Sequence, residues 1–226
     1  MIELYFWTTP NGYKPLLFLE EAGIDYEIRP VNISKGAQFA PDFLEISPNN
    51  RIPAIVDRDP EDGDTPLALF ESGAILHYLA EKTAKFLPED GRGRAEVLQW
   101  LNWQIGGIGP MFGQYLHFVD YAPKDIPYAK DRYTREAERL LGVLDRRLEG
   151  REYLAGAYSI ADMAIYPWVR RILARFEGFA NVERWARTVA ERPATIRAYE
   201  TGAAINTVPT INEESKALLF GDRRAA

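Results

Sequence analysis

Strand-like segments occur only in the first third of this chain, and that asymmetry limits its possible folds more than any other feature. Short apolar runs lie at Ile2 to Trp7, Tyr26 to Val31, Ala54 to Val56 and Leu67 to Phe70, and helical spacing fills the intervals at Lys14 to Ala22, Gln38 to Ile46 and Ser72 to Lys82. Strand, helix, strand implies a parallel pair joined by a crossover, whereas the acidic Gly/Pro-rich "VDRDPEDGDTPLAL" places a turn between two strands and reads as a hairpin. The expected first domain is therefore a small α/β unit, βαβ followed by a helix and a hairpin, closed by a helix.

Residues 83 to 91, "TAKFLPEDG", read as a linker, and helical patterns follow: Arg92 to Val119, Tyr128 to Glu149, Ile160 to Arg175, Val182 to Glu191 and Ala194 to Gly202. Pro110, among Gly106, Gly107, Gly109 and Gly113, is expected to kink or break the first of these, because proline lacks an N–H and its ring crowds the preceding turn. The expected domains are residues 1–82 (α/β), residues 91–205 (all-α) and a C-terminal tail at 206–226, extended or partly ordered.

Composition excludes several kinds of chemistry. A net charge of −6 argues against a general nucleic-acid binder, which needs a surplus of Lys and Arg on some face. Without cysteine there is no disulfide framework, catalytic thiol or thiolate metal site. His77 and His117 lie far apart with no ligand-spaced neighbours, so no metal is expected. No run approaches the ~18 apolar residues of a membrane span, and Glu3 with no preceding basic region argues against a secretory signal. A cytoplasmic protein with no membrane partner is expected.

Three short stretches point to a ligand. A helix start offers unpaired N–H groups and the positive end of a dipole, so it stabilises an anion. The turn Thr9, Pro10, Asn11, Gly12 follows the first strand and opens the first helix. In "FESGAI", Glu71 and Ser72 join a strand to a helix. Ser72 suits either a cap on that helix or a ligand carboxylate, while Glu71 suits a ligand ammonium. In "RIPAIV", Pro53 opens a strand, and the bond before it is a candidate for the cis form that leaves the Ile52 N–H and C=O for an extended ligand. Together the three would hold a small peptide, with a reactive atom at Thr9.

"TPNGYK", "SPNNRIPAI" and "LFESGAILHYLAEK" occur in the order and spacing of the glutathione transferase superfamily, which the chain resembles over roughly residues 1 to 200; "LQWLNWQIGGIGPMFGQ" and "IPYAKDRYTREAERL" extend the resemblance towards the bacterial Nu class and the relatives of the yeast nitrogen regulator. It implies a thioredoxin-like N-terminal domain plus an all-α C-terminal helical domain, a homodimer, and glutathione-dependent disulfide reduction, with organic hydroperoxide reduction and weak conjugation alongside. A non-catalytic regulatory or binding module and classical glutathione conjugation of electrophiles are the alternatives the resemblance admits. By position it implies glutathione contacts at Thr9, Asn11, Gln38, Ile52, Glu71, Ser72 and Arg132. Ser72 and Arg132 suit carboxylates, Glu71 the ammonium, Ile52 the cysteinyl backbone and Gln38 the glycyl end.

Thr9 and Asn11 are the expected catalytic pair. A free thiol has a pKa of about 8.5, so only roughly 3% is thiolate at pH 7. Lowering it by ~2 units requires ~2.7 kcal/mol of preference for the anion. A hydrogen bond to a charged group contributes ~1.5 to 3 kcal/mol and a helix N-terminus ~0.3 to 2, so no base is needed. With no protein cysteine, both thiols must come from glutathione, two molecules per site. Trp103, Phe112, Tyr115 and His117 either line that second space or pack helices or a dimer seam. Tyr13 is a second candidate for thiol activation, whereas Tyr5 reads as core; Ser159 and Asp162 in "YSIADM" read as a capping box, and Arg146, Arg147 and Arg151 as a solvated face.

Overall fold

The computed structural model describes residues 1–63, 65–208, 211 and 213–220. Four strands, β1 (Ile2–Phe6), β2 (Tyr26–Pro30), β3 (Ala54–Asp57) and β4 (Leu67–Phe70), form one sheet in the order β2-β1-β3-β4. β1 and β2 are parallel, joined by α1 (Pro10–Ala22); β1 and β3 are antiparallel, as are β3 and β4. The crossover and the hairpin are thus both present. Asp64, within the hairpin turn, lies outside the described residues.

The expected helix over 38–46 is instead two short 3₁₀ turns, Ile33–Lys35 and Ala37–Phe39, followed by α2 (Pro41–Ile46). Pro41 explains the division: its fixed φ suits a helix start and interrupts the backbone N–H ladder before it. α3 (Ser72–Thr83) closes the unit. Its core is Leu4, Phe6, Leu16, Phe18, Leu19, Ile55, Ile75 and Leu76, all fully buried.

The chain divides into two compact units, Met1–Tyr78 with the described residues from Ala194 onward, and Leu79–Pro193. The sequence reading put the boundary at 82–91 and residues 194–205 with the other helices. The structure places α9 (Pro193–Ile205) on the sheet-containing unit, because it is lashed there. Arg197 donates to Glu20 Oε2 at 2.7 Å, Tyr199 stacks on Tyr13 at 4.1 Å between ring centres, and Asn206 Nδ2 donates to Thr8 Oγ1 at 2.6 Å. The expected tail also contains α10 (Glu213–Phe220), whose Leu218 lies against Gly36 and whose Ser215 is buried. The remainder of 206–226 beyond 206–208 and 211 lies outside the described residues.

The second unit contains α4 (Gly91–Trp103), α5 (Gly109–Leu116), α6 (Pro127–Leu148), α7 (Ile160–Ile172) and α8 (Ala180–Ala190). Pro110 does not break the helical path: a π-helical turn at Gln104–Ile108 joins α4 to α5, and a second follows at His117–Tyr121. The wider turn relaxes the ladder where the proline ring would otherwise crowd the preceding carbonyl.

α7 is buried nearly all round, and its start explains how. Ser159 caps it, and the fully buried Asp162 completes a capping box while accepting from Leu154 N at 3.1 Å and Trp185 Nε1 at 2.9 Å. Burial pushes the Asp162 carboxyl up to about 6 against these hydrogen bonds. Arg147 is not a solvated residue as expected; it pairs with Glu96, donates to the Leu154 carbonyl at 2.8 Å and lies over the Trp100 ring. Among the described residues no helix is long and apolar enough to cross a membrane.

Asp162→Ala strands four buried donors, the backbone N–H groups of Leu154 and Ser159, the Ser159 hydroxyl and the Trp185 indole, each worth ~1 to 3 kcal/mol. It is expected to lower unfolding stability by about 3 to 5 kcal/mol in urea titration.

Candidate active site

The sheet register gathers the ligand-suited stretches. Tyr5 faces Ala54 and Ala54 faces Phe70 across antiparallel pairs. The C-terminal ends of β1 and β4 and the N-terminal end of β3 therefore share one edge of the sheet. From that edge leave the Thr9 turn, the Ile52–Pro53 segment and the Glu71–Ser72 junction. β2 runs parallel to β1, so the segment leading from it to Gln38 starts at the same edge.

Thr9 is the N-cap of α1, in extended backbone, and its Oγ1 accepts from Gly12 N at 3.1 Å. Accepting uses a lone pair and leaves the hydroxyl proton, which takes no acceptor among the described residues, to be donated to an anion at the helix start. Asn11 sits half-buried in the first turn. Gly12 is dictated by packing: a Cβ there would lie 2.1 Å from the Trp7 carbonyl oxygen.

The Ile52–Pro53 bond is cis. The Ile52 N–H and C=O make no hydrogen bond among the described residues. Ile52 itself packs in a cluster with Trp7, Val31, Phe43 and Ala54. Glu71 has φ +71, the left-handed region that non-glycine residues rarely occupy. Its exposed carboxylate accepts weakly from Asn49 at 3.4 Å. Ser72 is the first residue of α3, and its Oγ accepts from Lys14 Nζ at 3.0 Å rather than capping the helix. Gln38 is buried, and its Oε1 has no hydrogen-bond partner among the described residues.

Arg132 belongs to the helical unit, near the start of α6, where it lines a cavity of about 400 Å³ with Tyr128, Tyr133, Arg135, Glu136 and Arg139. Arg135 pairs with Asp131 and Arg139 with Glu136, whereas the exposed Arg132 makes no hydrogen bond or ion pair among the described residues. Two of the residues considered for a second pocket are packing residues: Phe112 is fully buried, and Tyr115 is buried against Phe176. Trp103 meets Trp100 edge-on, and His117 meets Phe118 in the same way. Tyr13 also proves to be a packing residue. Its ring stacks on Tyr199 and meets Phe6 edge-on, and its hydroxyl fills the space a Cβ on Gly202 would need.

Sequence reasoning missed Lys14, which is 1% exposed, and Asn206, which ties α9 to the turn. A lysine followed directly by Pro15, Leu16, Leu17, Phe18 and Leu19 was the legible signal for the first. Nothing near Asn206 marks it. Among the described residues no three His, Asp or Glu side chains are grouped as a metal ion would need.

The sheet order, the helical second unit and this edge are those of a glutathione transferase, and residues 1–81 and 127–199 match the descriptions "Glutathione S-transferase, N-terminal domain" and "Glutathione S-transferase, C-terminal domain". The chain belongs to that family. It is 55% identical over 199 residues to the disulfide-bond oxidoreductase YfcG of Escherichia coli, covering 86% of this chain and 93% of YfcG. A glutathione transferase family member from Pseudomonas fluorescens, solved with two glutathione bound, is 46% identical with a TM-score of 0.85, covering 88% of this chain and 92% of that one. A Pseudomonas putida glutathione transferase, solved with one glutathione disulfide bound per subunit, is 47% identical with a TM-score of 0.83, covering 87% and 90%.

Gly12→Ala forces the α1 start away from the Trp7 carbonyl. It is expected to lower stability by more than about 2 kcal/mol and to weaken glutathione binding, read by thermal unfolding and calorimetric titration.

Proposed function

We propose that this protein is a glutathione-dependent thiol–disulfide oxidoreductase that reduces small disulfides with two glutathione molecules per site. The observation that carries the reading is Thr9: its oxygen is fixed as the α1 cap and its hydroxyl proton is left to donate at the positive end of that helix. Thr9 and Asn11 stabilise the thiolate of a first glutathione, which attacks one sulfur of the disulfide and expels the other as a thiolate that takes up a proton. A second glutathione then attacks the mixed disulfide, releasing the second thiol and leaving glutathione disulfide. No step requires a protein cysteine, and the chain has none.

Glu71 takes the γ-glutamyl ammonium, Ser72 the adjacent carboxylate, Ile52 the cysteinyl backbone, Gln38 the glycyl end and Arg132 a further carboxylate. The glutathione disulfide in the Pseudomonas putida relative and the name of the Escherichia coli relative support the reading as a disulfide reductase. The same activated thiol serves organic hydroperoxide reduction as a side activity. The assembly is a homodimer working in the cytoplasm, where reduced glutathione is supplied.

In a glutathione-reductase-coupled assay with 2-hydroxyethyl disulfide, turnover is expected to exceed conjugation of a chloronitrobenzene. Thr9→Ala removes one charge-assisted hydrogen bond and is expected to lower kcat about 10- to 150-fold, with Thr9→Ser retaining most of it. Its loss of the cap costs about 1 kcal/mol of stability, which thermal unfolding measures separately. Tight glutathione binding without turnover of any disulfide or hydroperoxide would overturn the catalytic reading in favour of a binding module. Faster conjugation than reduction would favour a classical transferase. Calorimetry is expected to give one glutathione disulfide per chain, and light scattering a dimer.

A further inference from the structure

Lys14 lies in the first half of α1, 1% exposed, a charged residue among buried α1 residues that are otherwise Gly12, Pro15, Leu16, Leu17, Phe18, Leu19 and Ala22. Its Nζ donates to Ser72 Oγ at 3.0 Å, joining α1 to the first residue of α3 in a bond that is itself buried. A charged amine has three donors and no acceptor, so the bond fills a lone pair of the serine oxygen. The Ser72 hydroxyl proton is thereby turned away from Lys14, and it takes no acceptor among the described residues.

We propose that Lys14 is a positioning residue for glutathione: from inside the fold it fixes the Ser72 hydroxyl as a donor aimed at the γ-glutamyl carboxylate and places a positive charge behind that carboxylate. The inference rests on the reading of Ser72 as the carboxylate contact. Charge-assisted hydrogen bonds are the stronger ones, and an ammonium behind a hydroxyl strengthens it as a donor.

The charge on Lys14 is conditional. Burial lowers its pKa to about 7, opposed by the carboxylate of Glu71 on the turn before α3. An anion at Ser72 favours the ammonium, so binding near and above pH 7 draws a proton onto Lys14 and affinity falls as pH rises. In the neutral amine Lys14 becomes an acceptor, and the Ser72 proton turns inward, away from the ligand. Stability follows the same linkage. The folded pKa is depressed below the ordinary lysine value of 10.5, so the unfolded chain binds the extra proton between pH 7 and about 10.5, and the folded state gains stability as pH rises through that window.

The test uses the full-length protein and calorimetric titration with two ligands. One is S-methylglutathione, whose blocked sulfur removes thiol ionisation. The other is its analogue with 4-aminobutyryl in place of γ-glutamyl, which lacks only the carboxylate. At pH 6.5, Lys14→Met is expected to weaken S-methylglutathione roughly tenfold or more and to leave the analogue unchanged. Ser72→Ala should give a comparable loss, to which Lys14→Met adds nothing. Between pH 6.5 and 8.5 the wild-type Kd for S-methylglutathione should rise several-fold more than that of Lys14→Met.

Retained affinity in Ser72→Ala would overturn the assignment of Ser72 and the inference with it. Loss in Ser72→Ala with no loss in Lys14→Met, or a Lys14→Met loss equal for both ligands, would overturn the inference alone. If Lys14→Met does not fold, the comparison of wild type with Ser72→Ala decides: a pH dependence abolished by the serine change supports the inference, and one that survives it overturns it.

Discussion

The register that sets Tyr5 opposite Ala54 and Ala54 opposite Phe70 is the constraint on which the site depends. β3 runs against both neighbours, so one end of the sheet collects the exit of β1, the entry to β3 and the exit of β4. A slip of one residue in either pair would turn every side chain of a strand to the opposite face, and the buried face of this sheet forbids it. The α1 start is held to that edge from both sides, by Gly12 beneath the Trp7 carbonyl and by Asn206 on Thr8.

The chemistry built on this edge is electrostatic. It lacks a protein nucleophile and a metal cluster among the described residues; what it offers is a helix start, a capped threonine, a carboxylate on strained backbone and two backbone groups at Ile52 without partners. Such a surface suits a peptide that brings its own sulfur. A lysine buried beneath it donates to Ser72, and burial lowers its pKa to about 7. The carboxylate-suited end of the edge is thereby joined to the interior packing of α1 and α3.

The helical unit solves a different problem. α7 is enclosed, so its first-turn donors cannot rely on water, and Ser159 with Asp162 supplies the partners from within the sequence of the helix itself. The path from α4 through α5 stays helical past Pro110 because a π turn absorbs the proline. α6 carries Arg132 on its exposed side, with its neighbours Arg135 and Arg139 already paired.

The strand and helix order, the hairpin, the capping box and the polar turns gathered at one end of the sheet were legible in the sequence, since each depends on local periodicity or on a residue type acting on its own backbone. Thr9 as a cap and Asp162 in its box follow from interactions spanning three residues. What the sequence could not decide were contacts between distant segments. Tyr13 had the position for thiol activation, but Tyr199 and Gly202 claim its ring and hydroxyl. Residues 194–205 had helical spacing, yet Glu20 and Thr8 assign them to the sheet-containing unit. The apolar run after Lys14 hints at its burial, but its partner Ser72, 58 residues away, is brought to its Nζ only by the packing of α1 and α3. Sequence alone determined which segments form and which carry polar groups at their ends; only the tertiary structure decided which of those groups are free for a ligand, because burial and pairing are properties of neighbours the chain order does not reveal.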